Sequence, residues 1–228
     1  MLRQKLLAAF IILTGFMILL YPAVKDRYET YQQNRILEQW QQNMQQIALE
    51  TTVEDIVEQA DLPPDDSDSA ATKPMTAQPA PSQKKPPAAE VKLKNVEGVL
   101  IINKIDLNLP ILTNATKQNL SRSVASIANT GKAGQIGNYA IAGHRNRTYG
   151  KNFNRLGEMK IGDVVEVDTG KEKFRYKLTS KEIVLPEEVG VLKGKENLRE
   201  ITLVTCHPMK NPTHRLILKG QIIPNHRS

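Results

Sequence analysis

A chain of 228 residues suits one to two domains, and its single cysteine excludes an intrachain disulfide framework or a metal site built mainly from thiolates. Charge divides the chain: residues 1–90 hold 8 Lys+Arg against 12 Asp+Glu, a net of −4, whereas residues 91–228 hold 23 against 12, a net of +11. A compact basic domain therefore follows a mildly acidic leader.

Within the leader, residues 1–5 form a short basic N-terminus, with Arg3 and Lys5 and no acid. Residues 6–24 (LLAAFIILTGFMILLYPAV) follow as 19 residues without a charge. As a helix they span about 28 Å, close to the hydrocarbon thickness of a bilayer. No small-x-small cleavage site follows, so the segment reads as an uncleaved transmembrane anchor. The basic flank predicts a cytoplasmic N-terminus and an extracellular remainder, a single-pass protein of the cell membrane. Residues 25–60 are rich in Gln and Glu. Ile36, Leu37, Trp40, Met44, Ile47 and Ala48 recur there at steps of three and four, which predicts a helical stalk with a narrow apolar stripe. A solvated spacer, a self-association seam and a helix leaning on the following domain all fit that pattern. Residues 61–90 contain 7 of the 13 prolines and an acidic run, the composition of a disordered linker.

Residues 91–228 change pattern to short apolar runs broken by Gly, Asn, Pro and Lys. The runs are Val99–Ile102, Asn108–Leu112, Tyr139–Ala142, Val164–Val167, Phe174–Leu178, Ile183–Leu185, Ile201–Thr205 and Leu216–Ile223. Many of their residues are β-branched, and turn residues separate them, which predicts an all-β domain built as a closed or nearly closed antiparallel barrel. Lys117–Ala125 and Asn152–Leu156 read as short helices. The sequence contains no Gly-rich phosphate loop and no repeat.

Cys206 ends one of these strands, directly before His207-Pro208. A strand end lets a side chain reach a cleft, yet free cysteines are also among the most buried residues, so an inert thiol and a nucleophile both remain open. His207 is poorly placed to serve the Cys206 sulfur, because neighbouring side chains on an extended backbone point to opposite faces. His214 and Arg215 open the next strand after a seven-residue connection, which puts Arg215 near Cys206 across a hairpin. His144 stands at another strand end, after Tyr139–Ala142 and Gly143. A zinc site made from Cys206, His207 and His214 lacks an evident fourth ligand.

Three segments in order resemble the sortases, cysteine transpeptidases that attach exported proteins to Gram-positive cell walls. Thr202-Leu203-Val204-Thr205-Cys206 is similar to the family's Thr-Leu-x-Thr-Cys signature. Ala142-Gly143-His144 is similar to its Ala-Gly-His segment, and Arg215 to the arginine on the strand after the cysteine. The resemblance covers about residues 96–224. It implies an eight-stranded β-barrel of the sortase type, preceded by a transmembrane helix and an extracellular stalk and linker. It also implies roles: Cys206 as nucleophile, His144 as general acid/base, and Arg215 as the cation that steadies substrate and oxyanion. Ala142, Val189, Val191, Leu192, Val204 and Thr205 then correspond to positions at the groove for the Leu-Pro part of a sorting signal. Ordinary barrel core is the competing reading for the apolar residues among them.

Residues 118–138, where calcium-stimulated members carry acids, contain no Asp or Glu, so neither calcium nor any other cofactor is expected. No Asp-Pro-aromatic lid motif of the pilus-building members occurs. The segment 145–163 and Cys206-His207-Pro208 resemble class D members, with class A as the second possibility. The implied activity is cleavage of a Leu-Pro-x-Thr-(Ala/Gly) signal after Thr and transfer to a peptidoglycan-precursor amine. Implied partners are surface proteins bearing that signal, the precursor and the membrane, and not nucleic acid. The rival reading is a non-catalytic, membrane-tethered basic domain that binds anionic wall polymers or lipid.

Overall fold

The computed structural model describes residues 2–58 and 95–224; the predicted linker, residues 61–90, lies outside the described residues. The chain divides into two compact units, Met1–Gln39 with Asn95–Ser228, and Trp40–Lys94. A single helix, α1 (Leu2–Glu58), runs through the predicted anchor and stalk, with Pro22 inside it. The only described part of the second unit is the C-terminal stretch of that helix, from Trp40.

The strands are β1 (Val96–Ile102), β2 (Leu107–Leu112), β3 (Val124–Ser126), β4 (Gly137–Ala142), β5 (Val164–Asp168), β6 (Lys173–Val184), β7 (Arg199–His207) and β8 (His214–Ile223). They close into a barrel in the order β1-β2-β3-β4-β7-β8-β6-β5. Side chains alternate across each strand, so every second residue faces inward. Leu100 and Ile102, Leu109 and Ile111, Tyr139 and Ile141, Val165 and Val167, Ile201 and Leu203, and Leu216 and Leu218 fill the core in this way. The β4–β5 connection adds Phe153, Leu156 and Met159, all fully buried in the same core.

Several expectations are corrected. The barrel is not wholly antiparallel: β2 pairs with β3, and β4 with β7, in parallel. Parallel neighbours need a crossover, and helix α2 (Lys117–Arg122) lies in the one between β2 and β3. Its N-cap is Thr116, whose Oγ1 accepts from Asn119 N at 3.2 Å. The helix therefore stops at Arg122, and Val124 and Ala125, expected to continue it, belong to β3. The runs Phe174–Leu178 and Ile183–Leu185 are not two strands; Lys173–Val184 is one strand with a bulge between Leu178 and Ser180. The bulge lets β6 pair with β5 at one end and β8 along most of its length. Asn152–Leu156 is not a helix. Asn152 adopts a left-handed backbone (φ 47°), and Phe153 N donates back to His144 O at 3.0 Å. A 3-10 turn follows only at Leu156–Glu158.

One buried polar clasp joins three strands. The Glu97 carboxylate accepts from Ser126 Oγ at 2.8 Å and from Tyr139 OH at 2.7 Å. Burial, together with the Glu97 charge, pushes the Tyr139 phenol well above its ordinary range, so it stays a donor. This ties the middle of β4 to β1 and β3 and fixes the strand that ends at His144.

Candidate active site

The face on which Cys206 lies follows from strand alternation. Ile201 and Leu203 are core residues on β7, and Thr205 shares their inward face, so Thr202, Val204 and Cys206 face outward. Cys206 is a free, half-buried thiol. In the β7–β8 ladder its direct partner is Arg215, and Val204 pairs with Ile217. Directly opposed residues share a face, so Arg215 stands beside Cys206 on the outside of the barrel. Its Nη1 donates to His214 O at 3.0 Å. The connection between the two strands is six residues, Pro208–Thr213, because His207 and His214 still pair in the ladder. The expected seven-residue connection is therefore one too long.

His144 reaches the same place from the other side. Strand β4 runs parallel to β7, with Ala142 paired with Val204; His144 lies two residues beyond Ala142, as Cys206 lies two beyond Val204. Gly143 carries that register past the strand end: its N–H donates to Val204 O at 3.0 Å, and its carbonyl accepts from Thr205 Oγ1 at 2.8 Å. His144 is exposed. Thus β4, β7 and β8 deliver an imidazole, a thiol and a guanidinium to one end and one face of the barrel.

Gly143 is required by space. A Cβ there would sit 2.7 Å from the Phe153 ring and 2.9 Å from Val124 Cγ1, both fixed in the core. Gly143→Ala is accordingly expected to destabilise the protein by roughly 1–3 kcal/mol through overpacking. Urea denaturation checks this, and an unchanged midpoint would contradict it.

The expected groove residues do not share one environment. Ala142 and Val204 are half-buried on the outer face, adjacent across β4 and β7. Val191 and Leu192 are half-buried, and Val189 is 65% exposed, in the 3-10 turn Val189–Leu192. Asn138 Nδ2 donates to Leu192 O at 2.8 Å and holds that turn against β4. None of these five apolar residues belongs to the barrel core. Thr205 differs: it is 2% exposed, faces inward, and its hydroxyl is engaged by Gly143 O. It joins the strand ends that bear His144 and Cys206.

A pairing missed in the sequence reinforces that joint. Arg145 Nη1 donates to His207 Nδ1 at 2.9 Å. Continuing the parallel register three residues beyond Ala142 and Val204 places Arg145 beside His207, so the signal existed once the strand pairing was known. Among the described residues, no cluster of three or more His, Cys, Asp or Glu has a metal-binding arrangement. His207 faces Arg145, and His214 Nδ1 meets Thr213 Oγ1 at 2.8 Å.

A closed eight-stranded barrel carrying this trio at one end defines a class of protein, and comparison with known families identifies it. The sortase domain family model matches residues 100–223, and the chain belongs to the sortase family. It is 31% identical to sortase A of Bacillus anthracis over 137 residues, covering 59% of this chain and 63% of that protein. It is 35% identical to sortase A of Staphylococcus aureus over 138 residues, 58% of this chain and 64% of that protein. The match therefore spans a little under two-thirds of either relative. Among solved structures, a Clostridium perfringens sortase D5 transpeptidase superposes with a TM-score of 0.53 at 27% identity, covering 57% of this chain and 82% of that one.

Proposed function

We propose that this protein is a membrane-anchored cysteine transpeptidase. It cleaves a Leu-Pro-x-Thr-(Ala/Gly) sorting signal after Thr and joins the new carboxyl end to a peptidoglycan-precursor amine. The observation that supports this reading is that Cys206 and Arg215 are direct cross-strand partners, while His144 follows the β4 end that pairs in parallel with the Cys206 strand.

The Cys206 thiolate attacks the threonine carbonyl carbon, and the carbonyl electrons move onto oxygen, where Arg215 offsets the developing charge. Collapse breaks the C–N bond while protonated His144 gives its proton to the leaving amine, leaving a thioester on Cys206. The acceptor amine then attacks the thioester carbonyl and loses a proton to neutral His144. Thiolate departs, which regenerates the starting state. Ala142, Val204 and the Val189–Leu192 turn supply apolar surface for the Leu-Pro portion of the signal. Residues 6–24 anchor the chain with its N-terminus in the cytoplasm, and the barrel works outside.

The test is incubation of the full chain with quenched peptides bearing either signal, with and without an amine acceptor. Cleavage that yields the amide when acceptor is present supports the proposal; no cleavage of either peptide defeats it. The reading includes calcium independence, because residues 118–138 carry no carboxylate. In the same assay millimolar calcium is expected to leave the rate unchanged, and a several-fold increase would overturn that part.

A further inference from the structure

Helix α1 does not simply leave the anchor; it grips the β4–β5 connection that carries His144. Lys151 Nζ donates to Asp26 Oδ1 at 2.9 Å and to Glu29 Oε2 at 2.5 Å, and Thr148 Oγ1 donates to Asp26 Oδ2 at 2.8 Å. One turn further, Gln33 Nε2 donates to Asn152 Oδ1 at 2.7 Å. Asp26, Glu29 and Gln33 are spaced three and four apart and so line one face of the helix. Lys151, Gln33 and Asn152 are buried in the contact, 7%, 6% and 4% exposed. The hydrogen bond from Lys151 holds the Asp26 carboxyl below its usual range, with Thr148 adding to the effect.

The grip sets a height. Asp26 is two residues beyond Val24, the last residue of the uncharged segment, or about 3 Å along the helix axis. The headgroup layer on one side of a bilayer is about 5–7 Å deep. Asp26 and its partners Thr148 and Lys151 consequently fall within that layer when residues 6–24 span the membrane. Among the described residues, no side chain of the apolar segment is buried against the barrel, which leaves the segment free to enter lipid. Tyr149 lies between Thr148 and Gly150 and is 74% exposed, its ring 4.9 Å from the Arg155 guanidinium. Arg147, next to Thr148, and Arg27, next to Asp26, are exposed, with no acidic ion-pair partner among the described residues. Arg155 is itself paired with Glu158 and Asp106, but an exposed tyrosine beside the exposed Arg147 and Arg27 is a residue set that favours an anionic bilayer interface.

We propose that the 146–151 segment is a lipid-contact surface, with Tyr149 at headgroup depth and Arg147 against anionic phospholipid, held there by the Asp26–Glu29–Gln33 grip. The inference rests on the membrane-anchor reading above. Its consequence is that His144, four residues from Thr148 and so at most about 14 Å away along the chain, works at the bilayer surface. An amine acceptor carried on a lipid would be presented there, whereas a freely diffusing one would gain nothing.

The test uses the full chain in vesicles of phosphatidylcholine with phosphatidylglycerol, with Trp40→Phe removing the native tryptophan. Tyr149→Trp and, separately, Phe16→Trp then report quenching by lipids brominated in the upper acyl chain. Quenching of both reporters is the expected result. Adding Arg147→Glu to the Tyr149→Trp protein is expected to shift the surface equilibrium by roughly fivefold or more, from the free energy of one cation near an anionic leaflet, and to relieve the quenching. Quenching at position 16 but not at 149 overturns this proposal and leaves the anchor intact. Quenching at neither position overturns the anchor reading and the proposal together. Undiminished quenching at 149 with Arg147→Glu overturns the role given to the anionic headgroups.

Discussion

Cys206→Ala is expected to lower cleavage of a sorting-signal peptide by at least about a thousandfold, to the background rate, while leaving the barrel folded. The chain holds no second thiol to substitute for it. A lone methyl group forms no acyl-enzyme, so both hydrolysis and transfer should vanish together rather than in different proportions. The folded state should tolerate the change, because Cys206 is half-buried on the outer face and contributes nothing to the core. The measurement is paired: steady-state turnover, and mass spectrometry of protein quenched during reaction. Wild type should show an increment equal to the acyl fragment, and the variant none. A variant that turns over at the wild-type rate with an unchanged melting temperature would remove Cys206 from the chemistry and return it to the inert-thiol reading.

Alkylation gives the same conclusion an independent basis. A thiol on the barrel exterior beside a guanidinium should react with iodoacetamide in the folded protein, and substrate peptide should slow that reaction. Protection until denaturation would contradict the outward placement of Cys206 on β7.

The sequence was most legible where the signal is local. Short apolar runs rich in β-branched residues, set between turn residues, located most barrel strands to within a few positions. Strand β3 escaped because Leu120 and Val124, four apart, read as one helix face, which drew Val124 and Ala125 of this three-residue strand into the expected helix. The polar run Thr179–Glu182 hid the continuity of β6, whose bulge allows a long strand to continue without apolar residues. Parallel pairing of β4 with β7 is a non-local property that no window of sequence reports, and most of the site follows from it. His144, Cys206 and Arg215 were singled out through the resemblance of their motifs to the sortase family, not through that pairing. Arg145 and the inward-facing Thr205 gain their parts only from the register. The same holds for the grip on α1: Asp26, Glu29 and Gln33 read as a solvated helix face until Lys151 and Asn152 are brought to them.

Arg215→Ala is expected to reduce kcat/KM by about 100-fold or more, the usual cost of removing one donor to a developing oxyanion. That role belongs to the proposed mechanism, and two features of the strand pair support it. Arg215 is the cross-strand partner of Cys206, and its Nη1 bond to His214 O fixes the plane of the guanidinium while other N–H groups of the fork remain available toward the cleft. Arg215→Lys should recover little, because a point charge on a flexible stem has neither the fixed plane nor the paired donors. The division between kcat and KM distinguishes two contributions. Loss of oxyanion stabilisation lowers kcat with KM nearly unchanged, whereas loss of a substrate carbonyl contact raises KM. A change confined to KM would leave Arg215 as a binding residue and transfer the oxyanion role to another donor. Near-complete rescue by Arg215→Lys would show that net charge suffices, and that the cross-strand geometry beside Cys206 is not what the reaction requires.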